Sequence, residues 1–402
     1  MRRITRTAKI LNSVLAPATR ERTDPERASA AWWRTVEKVQ AQTGYDLGAD
    51  APFAEDLDFL LRCFANVPGL TPIGWKGQLG NAATRLENRM RVSEIHRRVP
   101  EVANERIERP VFVVGLPRTA TSLTHKILAR SAGHRGPLLW ELNYTALDDD
   151  PAERDRRIKS IDRELRATFK FSPAFDVIHP VRIDQPEESI ALMPHTYFPL
   201  SCALMPDYRE WQSQRDQTAD YAYLRQALQV LQYGRERKRW ILKYPGHVGD
   251  LDVLFKVFPD AQIVWTHRDP ITVMGSFCSL VETLGGLHVR NIDLHEIGRM
   301  WLEILSESVE SGRRHRPDAP MGAVVDVGYH QLVSDPHNYV PKLYEQIGAR
   351  WTAEDAEKLS GLTERPLRDR RHEYDIFHYG LSPRQIEKAF QDYMPLVHRV
   401  NA

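Results

Sequence analysis

Four short, mostly apolar runs mark this 402-residue chain from residue 110 onward: PVFVVG at 110–115, which is continuous, WILK at 240–243, QIVWT at 262–266 and AVVDV at 323–327. A strand buried on both faces needs such a run, whereas a half-exposed strand would alternate with polar positions. Around the runs, over 121–132, 216–234, 249–258, 271–284, 293–313 and 338–347, apolar residues recur at three- and four-residue spacing, the period of a helix facing a core. Strands alternating with helices imply an α/β fold, with a central, mostly parallel β-sheet flanked by helices and ligands at the carboxyl ends of its strands. Helical patterning also covers 30–42, 53–64 and 81–98, punctuated by Pro52, Pro68, Pro72 and Pro100. The expected organisation is an N-terminal helical region over 1–108, contributing packing or acceptor contacts, and an α/β domain over 109–402.

Composition removes several functions. Lys and Arg (55) nearly cancel Asp and Glu (54), so the basic excess of a nucleic-acid binder is missing. Cys63, Cys202 and Cys278 are odd in number and far apart, which builds neither a disulfide framework nor a zinc site and suits a reducing, cytoplasmic setting. No H-E-x-x-H or compact Cys/His cluster occurs among the 15 histidines, so no metal is expected. No transmembrane segment is expected either, since a span takes about 18 apolar residues. The basic N-terminus is read as a first helix that packs on the core or touches a membrane surface peripherally. A homo-oligomer is left open.

The stretch VVGLPRTATSL at 113–123 carries the most chemistry. A buried strand runs into a tight turn and then a hydroxyl-rich first helical turn, which aims free N–H groups and the helix dipole at one place and suits an anion. Against the nucleotide P-loop, G-x-x-x-x-G-K-[ST], Gly115 fits, Ala120 stands for the second glycine, Thr121 for the lysine and Ser122 for the hydroxyl. The cation sits within the loop as Arg118. This P-loop-like turn is a poor ATPase signature.

It resembles instead the 5′-phosphosulfate loop of sulfotransferases that use PAPS (3′-phosphoadenosine 5′-phosphosulfate), in the bacterial branch of that family. The resemblance extends to VWTHRDPITVMGS at 264–276, similar to the family's second signature, in which an Arg and a Ser hold the 3′-phosphate; Arg268 and Ser276 occupy those positions. YHQLVSDP at 329–336 is similar to the segment whose tyrosine helps hold adenine, here Tyr329. RHEYDIFHYGLS at 371–382, which includes Arg371 and His372, is similar to a C-terminal segment of bacterial members. The resemblance covers about 109–390. It implies PAPS as donor and PAP as product, with Pro117, Arg118, Thr119, Ala120, Thr121, Ser122, Leu123, Arg268, Ser276, Tyr329, Arg371 and His372 around the nucleotide. Leu123 stands where cytosolic members stack a tryptophan on adenine. Ala120 replaces a loop glycine, a source of strain if that position needs φ > 0 and harmless in a helical first turn.

In-line sulfuryl transfer needs cations and N–H donors at the leaving oxygen and a base for the acceptor proton. Arg118 and the loop amides supply the first, and Lys243, at the end of WILK, the second cation. For the base, the Glu187/Glu188 pair of DQPEE is favoured, with Pro186 expected to open a helix whose dipole steadies both carboxylates. His247 follows, from an L-K-x-P-x-H-like segment, and then Glu141; carboxylates in a first turn and a histidine near a helix start also serve stability alone. The expected activity is sulfuryl transfer to a hydroxyl or amine of a small acceptor, with a lipophilic alcohol or phenol suggested by Trp32, Trp33 and the aromatic stretch at 193–198. A P-loop kinase or NTPase, and a PAP-binding protein without turnover, are the alternatives.

Overall fold

The computed structural model describes residues 4–363 and 375–401. Four helices lead: α1 (Arg6–Leu15), α2 (Pro25–Thr43), α3 (Ala51–Ala65) and α4 (Pro72–Arg98). Proline opens α2 and α4 at the position where a missing N–H costs nothing, after the capping side chains of Asp24 and Thr71.

The four apolar runs form strands β1 (Val111–Gly115), β3 (Arg239–Lys243), β4 (Gln262–His267) and β5 (Val324–Gly328). Sequence reading missed β2 (His134–Arg135), whose two residues are too short to show a period. All pairings are parallel, in the order β2-β3-β1-β4-β5. From β1 the chain moves outward past β3, and from β4 it moves the other way to β5. The crevice therefore opens at the carboxyl ends of β1 and β4.

Pleating divides β1 between two cores. Phe112 and Val114 join the larger cluster with Trp32, Phe64, Trp75, Trp265 and Trp301, while Val111 and Val113 join a smaller one with Leu128, Ile241, Leu343 and Tyr344. The N-terminal helices thus share one core with the sheet. Trp32 is fully buried, its indole N–H on the Ala54 carbonyl at 2.9 Å, so it is a core residue and not the wall of an acceptor groove.

The flanking helices follow in order: α5 (Thr121–Ala129), α6 (Leu139–Asn143), α7 (Pro151–Phe171), α8 (Pro173–Ile178), α9 (Pro206–Ser213), α10 (Thr218–Gln232), α11 (Leu251–Val257), α12 (Pro270–His288) and α13 (Leu294–His315). Against the expectation from composition, α12 is long and apolar enough to cross a membrane. Two-thirds of its 18-residue apolar window is buried within the fold, which accounts for its composition.

Candidate functional site

Gly115 ends β1 at φ +127°, and a Cβ there would lie 2.5 Å from the Thr266 carbonyl oxygen, so only glycine lets the phosphate loop leave beside β4. Arg118 (φ +68°) and Ala120 (φ +70°) then both adopt the left-handed region. Ala120 is the N-cap of α5, so the loop position does carry the strain its missing glycine would have relieved. Strained non-glycine backbone at the entrance of a helix keeps its N–H groups turned toward one concavity.

Two junctions 158 residues apart meet at this loop. Arg118 Nε donates to Ser276 Oγ at 3.1 Å, and Arg268 Nη1 donates to the Arg118 carbonyl at 3.0 Å. The Arg268 guanidinium also lies 3.9 Å from the centre of the Tyr329 ring, a cation–π contact that fixes its plane. Ser276 is buried in the second turn of α12, a helix capped by Asp269 through the N–H groups of Ile271 and Thr272.

Lys243, the last residue of β3, is 1% exposed. Its ammonium contacts the Glu188 carboxylate and lies 3.2 Å from Ser122 Oγ, a hydroxyl in the first turn of α5. The structure therefore brings Arg118, Ser122, Lys243, Glu188, Arg268, Ser276 and Tyr329 to one end of the sheet. Pro117 and Leu123 flank them, half-buried, with Leu123 packed on the smaller core.

Other expected residues stand differently. The Thr119 hydroxyl turns into the fold, donating to the Leu116 carbonyl at 2.6 Å and meeting the Thr266 hydroxyl, so only its backbone remains for a ligand. Thr121 is buried. Pro186 opens no helix: it bridges Leu138, and Glu187 and Glu188 lie in irregular chain before a short 3-10 turn at Ser189–Ala191. No dipole steadies them; Lys243 does so for Glu188.

His247 is fully buried, with Nε2 at 2.9 Å from Ser189 Oγ and Nδ1 at 2.7 Å from the Tyr221 hydroxyl. Burial pushes its pKa down to about 3, and with both nitrogens engaged it is a packing residue rather than a base. Glu141 is likewise committed, pairing with Arg135 and Arg235 and accepting the Leu138 N–H. Arg371 and His372 lie outside the described residues.

Sequence reading missed His179 and Lys126. His179 follows α8 in chain without periodicity, where no local signal marks it. Its Nε2 lies 3.8 Å from Glu187 Oε1, and the facing atoms of His179, Glu187 and Glu188 all fall within 4.8 Å of one another. Arg118 Nη1 donates to the neighbouring Ile178 carbonyl at 3.2 Å, which ties this segment to the phosphate loop. Lys126 is a partly buried cation on α5, its pKa lowered by burial and by Lys243 and raised by Glu187. A helical pattern alone makes Lys126 look like a solvated surface residue.

Residues 110–353 match the profile described as the sulfotransferase family. An omega-hydroxy-beta-dihydromenaquinone-9 sulfotransferase, Stf3, from Mycobacterium bovis and from Mycobacterium tuberculosis, is 25% identical over 260 residues, which is 60% of this chain and 62% of the relative. The chain thus spans a little over three-fifths of the length of these curated relatives. Among solved structures, sulfotransferase STF1 from Mycobacterium tuberculosis superposes with a TM-score of 0.75 at 27% identity, over 89% of this chain and 98% of that one. STF9 from Mycobacterium avium gives 0.79 at 25% identity, over 90% and 95%.

Proposed function

Because the chain belongs to the sulfotransferase family, we propose that it transfers a sulfuryl group from PAPS to the hydroxyl of a lipophilic small molecule, in line and with a general base. The observation that carries this reading is the meeting of Arg118, Ser276 and Arg268 at the carboxyl ends of β1 and β4. Three arginine and lysine cations beside a helix N-terminus fit a ligand with phosphates at two ends, and they fit it without the P-loop lysine that Thr121 replaces.

Each residue then has a task. The loop amides over 118–122 and the α5 N-terminus receive the 5′-phosphosulfate. Arg268 and Ser276 hold the 3′-phosphate, and Tyr329, oriented by Arg268, lies at the adenine. Lys243, already next to Ser122, stabilises charge on the departing phosphate oxygen, and charge compensation there is the largest single contribution such a site can make. The acceptor proton leaves toward the Glu187/Glu188 side of the site. A lipophilic alcohol is favoured because the mycobacterial relative is named for an omega-hydroxy menaquinone derivative. Buried free thiols at Cys63, Cys202 and Cys278 support a reducing, cytoplasmic setting.

Thermal shift distinguishes the donors, since a ligand that binds the folded state raises stability by mass action. PAP should raise the melting temperature and ATP–magnesium should not; the reverse would assign a kinase or NTPase. Labelled PAPS with a panel of long-chain alcohols and phenols should then yield a sulfated product. PAP binding with no product from any acceptor would leave a nucleotide-binding protein.

A further inference from the structure

We infer that His179 is the catalytic residue that takes the acceptor proton, with the Glu187 and Glu188 carboxylates stabilising the imidazolium it becomes. This deepens the sulfotransferase reading and rests on it.

Glu188 is occupied by the buried Lys243 ammonium, and Glu187 Oε1 accepts the Glu188 backbone N–H at 2.9 Å. Both carboxylates thus already hold partners within the protein. His179, by contrast, reaches neither carboxylate directly. At 3.8 Å its Nε2 is too far from Glu187 Oε1 for a hydrogen bond, while a hydroxyl oxygen seated between them could lie about 2.8 Å from each.

The imidazole is a quarter exposed, so an acceptor can approach it from solvent. Its place is fixed from the donor side, because Arg118 holds the preceding carbonyl.

The charges around it suit both protonation states. Glu187 and Glu188 face it from the following segment, Lys243 from β3 and Arg118 from the phosphate loop. Burial, aided by the two cations, lowers its pKa below the ordinary histidine value, so the imidazole is neutral at pH 7, the form that can accept a proton. Once it has taken a proton, the two carboxylates oppose the cost of the partly buried positive charge.

The step balances. The acceptor O–H bond breaks and its proton goes to His179. The acceptor oxygen forms a bond to sulfur while sulfur's bond to the 5′-phosphate oxygen breaks, and that oxygen leaves with the electron pair beside Lys243.

The test compares wild type, His179→Gln and His179→Ala, using labelled PAPS with 2-naphthol and with water as acceptors, so that a rate is measurable in each case. Turnover should fall roughly 100-fold or more in both variants, the usual worth of a positioned base, while PAP affinity is unchanged. Wild-type rate should hold through the ordinary histidine range and drop only at more acid pH, in keeping with the lowered pKa, and this acid limb should vanish in His179→Gln. Added imidazole should restore part of the His179→Ala rate, which a purely structural role would not allow. An unchanged pH profile in His179→Gln, or full turnover, overturns the assignment. A wild type that binds no PAP would instead overturn the donor site itself.

Discussion

Arg118 Nε donates to Ser276 Oγ at 3.1 Å across 158 positions of sequence, and this one bond joins the phosphate loop after β1 to the helix after β4. The Arg118 carbonyl in turn accepts a hydrogen bond from Arg268 Nη1. Both ends of a doubly phosphorylated nucleotide would therefore be gripped by parts that also grip each other.

Removing one of these forks should weaken nucleotide binding without unfolding the chain. Arg268→Ala is expected to lower PAP affinity about 10- to 100-fold, the equivalent of one charge-assisted contact at roughly 1.5–3 kcal/mol. Isothermal titration measures it. Unchanged affinity would take Arg268 out of the site.

The Lys243–Glu188 pair should show opposite behaviour in stability and in catalysis. Lys243 is 1% exposed, so Glu188→Gln leaves a buried cation without its counter-charge, at a cost of about 3 kcal/mol or more. The double variant Lys243→Met/Glu188→Leu removes both charges and should recover most of that stability in urea titrations. It should remain without sulfuryl transfer, because the cation for the leaving oxygen is gone. Recovery of turnover in the double variant would show that Lys243 has no catalytic part.

Ala120 sits at φ +70° with a Cβ that this conformation disfavours. Ala120→Gly should therefore raise unfolding free energy by about 1 kcal/mol, with PAP affinity retained. A loss of stability would mean that the loop does not adopt this conformation in solution.

Acid should destabilise the fold early, through histidines buried neutral. Burial pushes both His125 and His247 down to about 3, and His125 also faces the Lys243 cation. Between pH 6.5 and the low folded values, the unfolded chain binds protons that the folded chain refuses, so stability falls as pH falls. Each histidine contributes a slope of about 1.4 kcal/mol per pH unit within that window. Urea unfolding at pH 6.5, 5.5 and 4.5 reads the slope, and His247→Phe should make it shallower. A stability that is flat over this range would contradict the neutral burial of both rings.

The local pattern revealed what depends on neighbours in the chain. Largely apolar runs placed β1, β3 and β4 because a strand covered on both faces has no polar side to show, and β5, at the sheet edge, shows one polar residue, Asp326, among its valines. The loop after β1, Arg268 with Ser276 eight residues later, and Lys243 at a strand end were visible for a related reason. Each belongs to a strand-to-helix turn whose spacing is written in a few consecutive residues.

What stayed hidden arises between distant segments. His247 looked like a base until the fold enclosed it between Ser189 and Tyr221, and Glu141 until Arg135 and Arg235 closed on it. His179 stood in unpatterned chain and acquired its place only when Arg118 drew Ile178 to the phosphate loop. Whether a titratable side chain is base, counter-ion or packing is set by its burial and by the charges around it. Those are properties of three-dimensional neighbours, several of them more than 50 residues away in the chain, as Arg118 is from Ile178, Ser189 from His247 and Glu188 from Lys243.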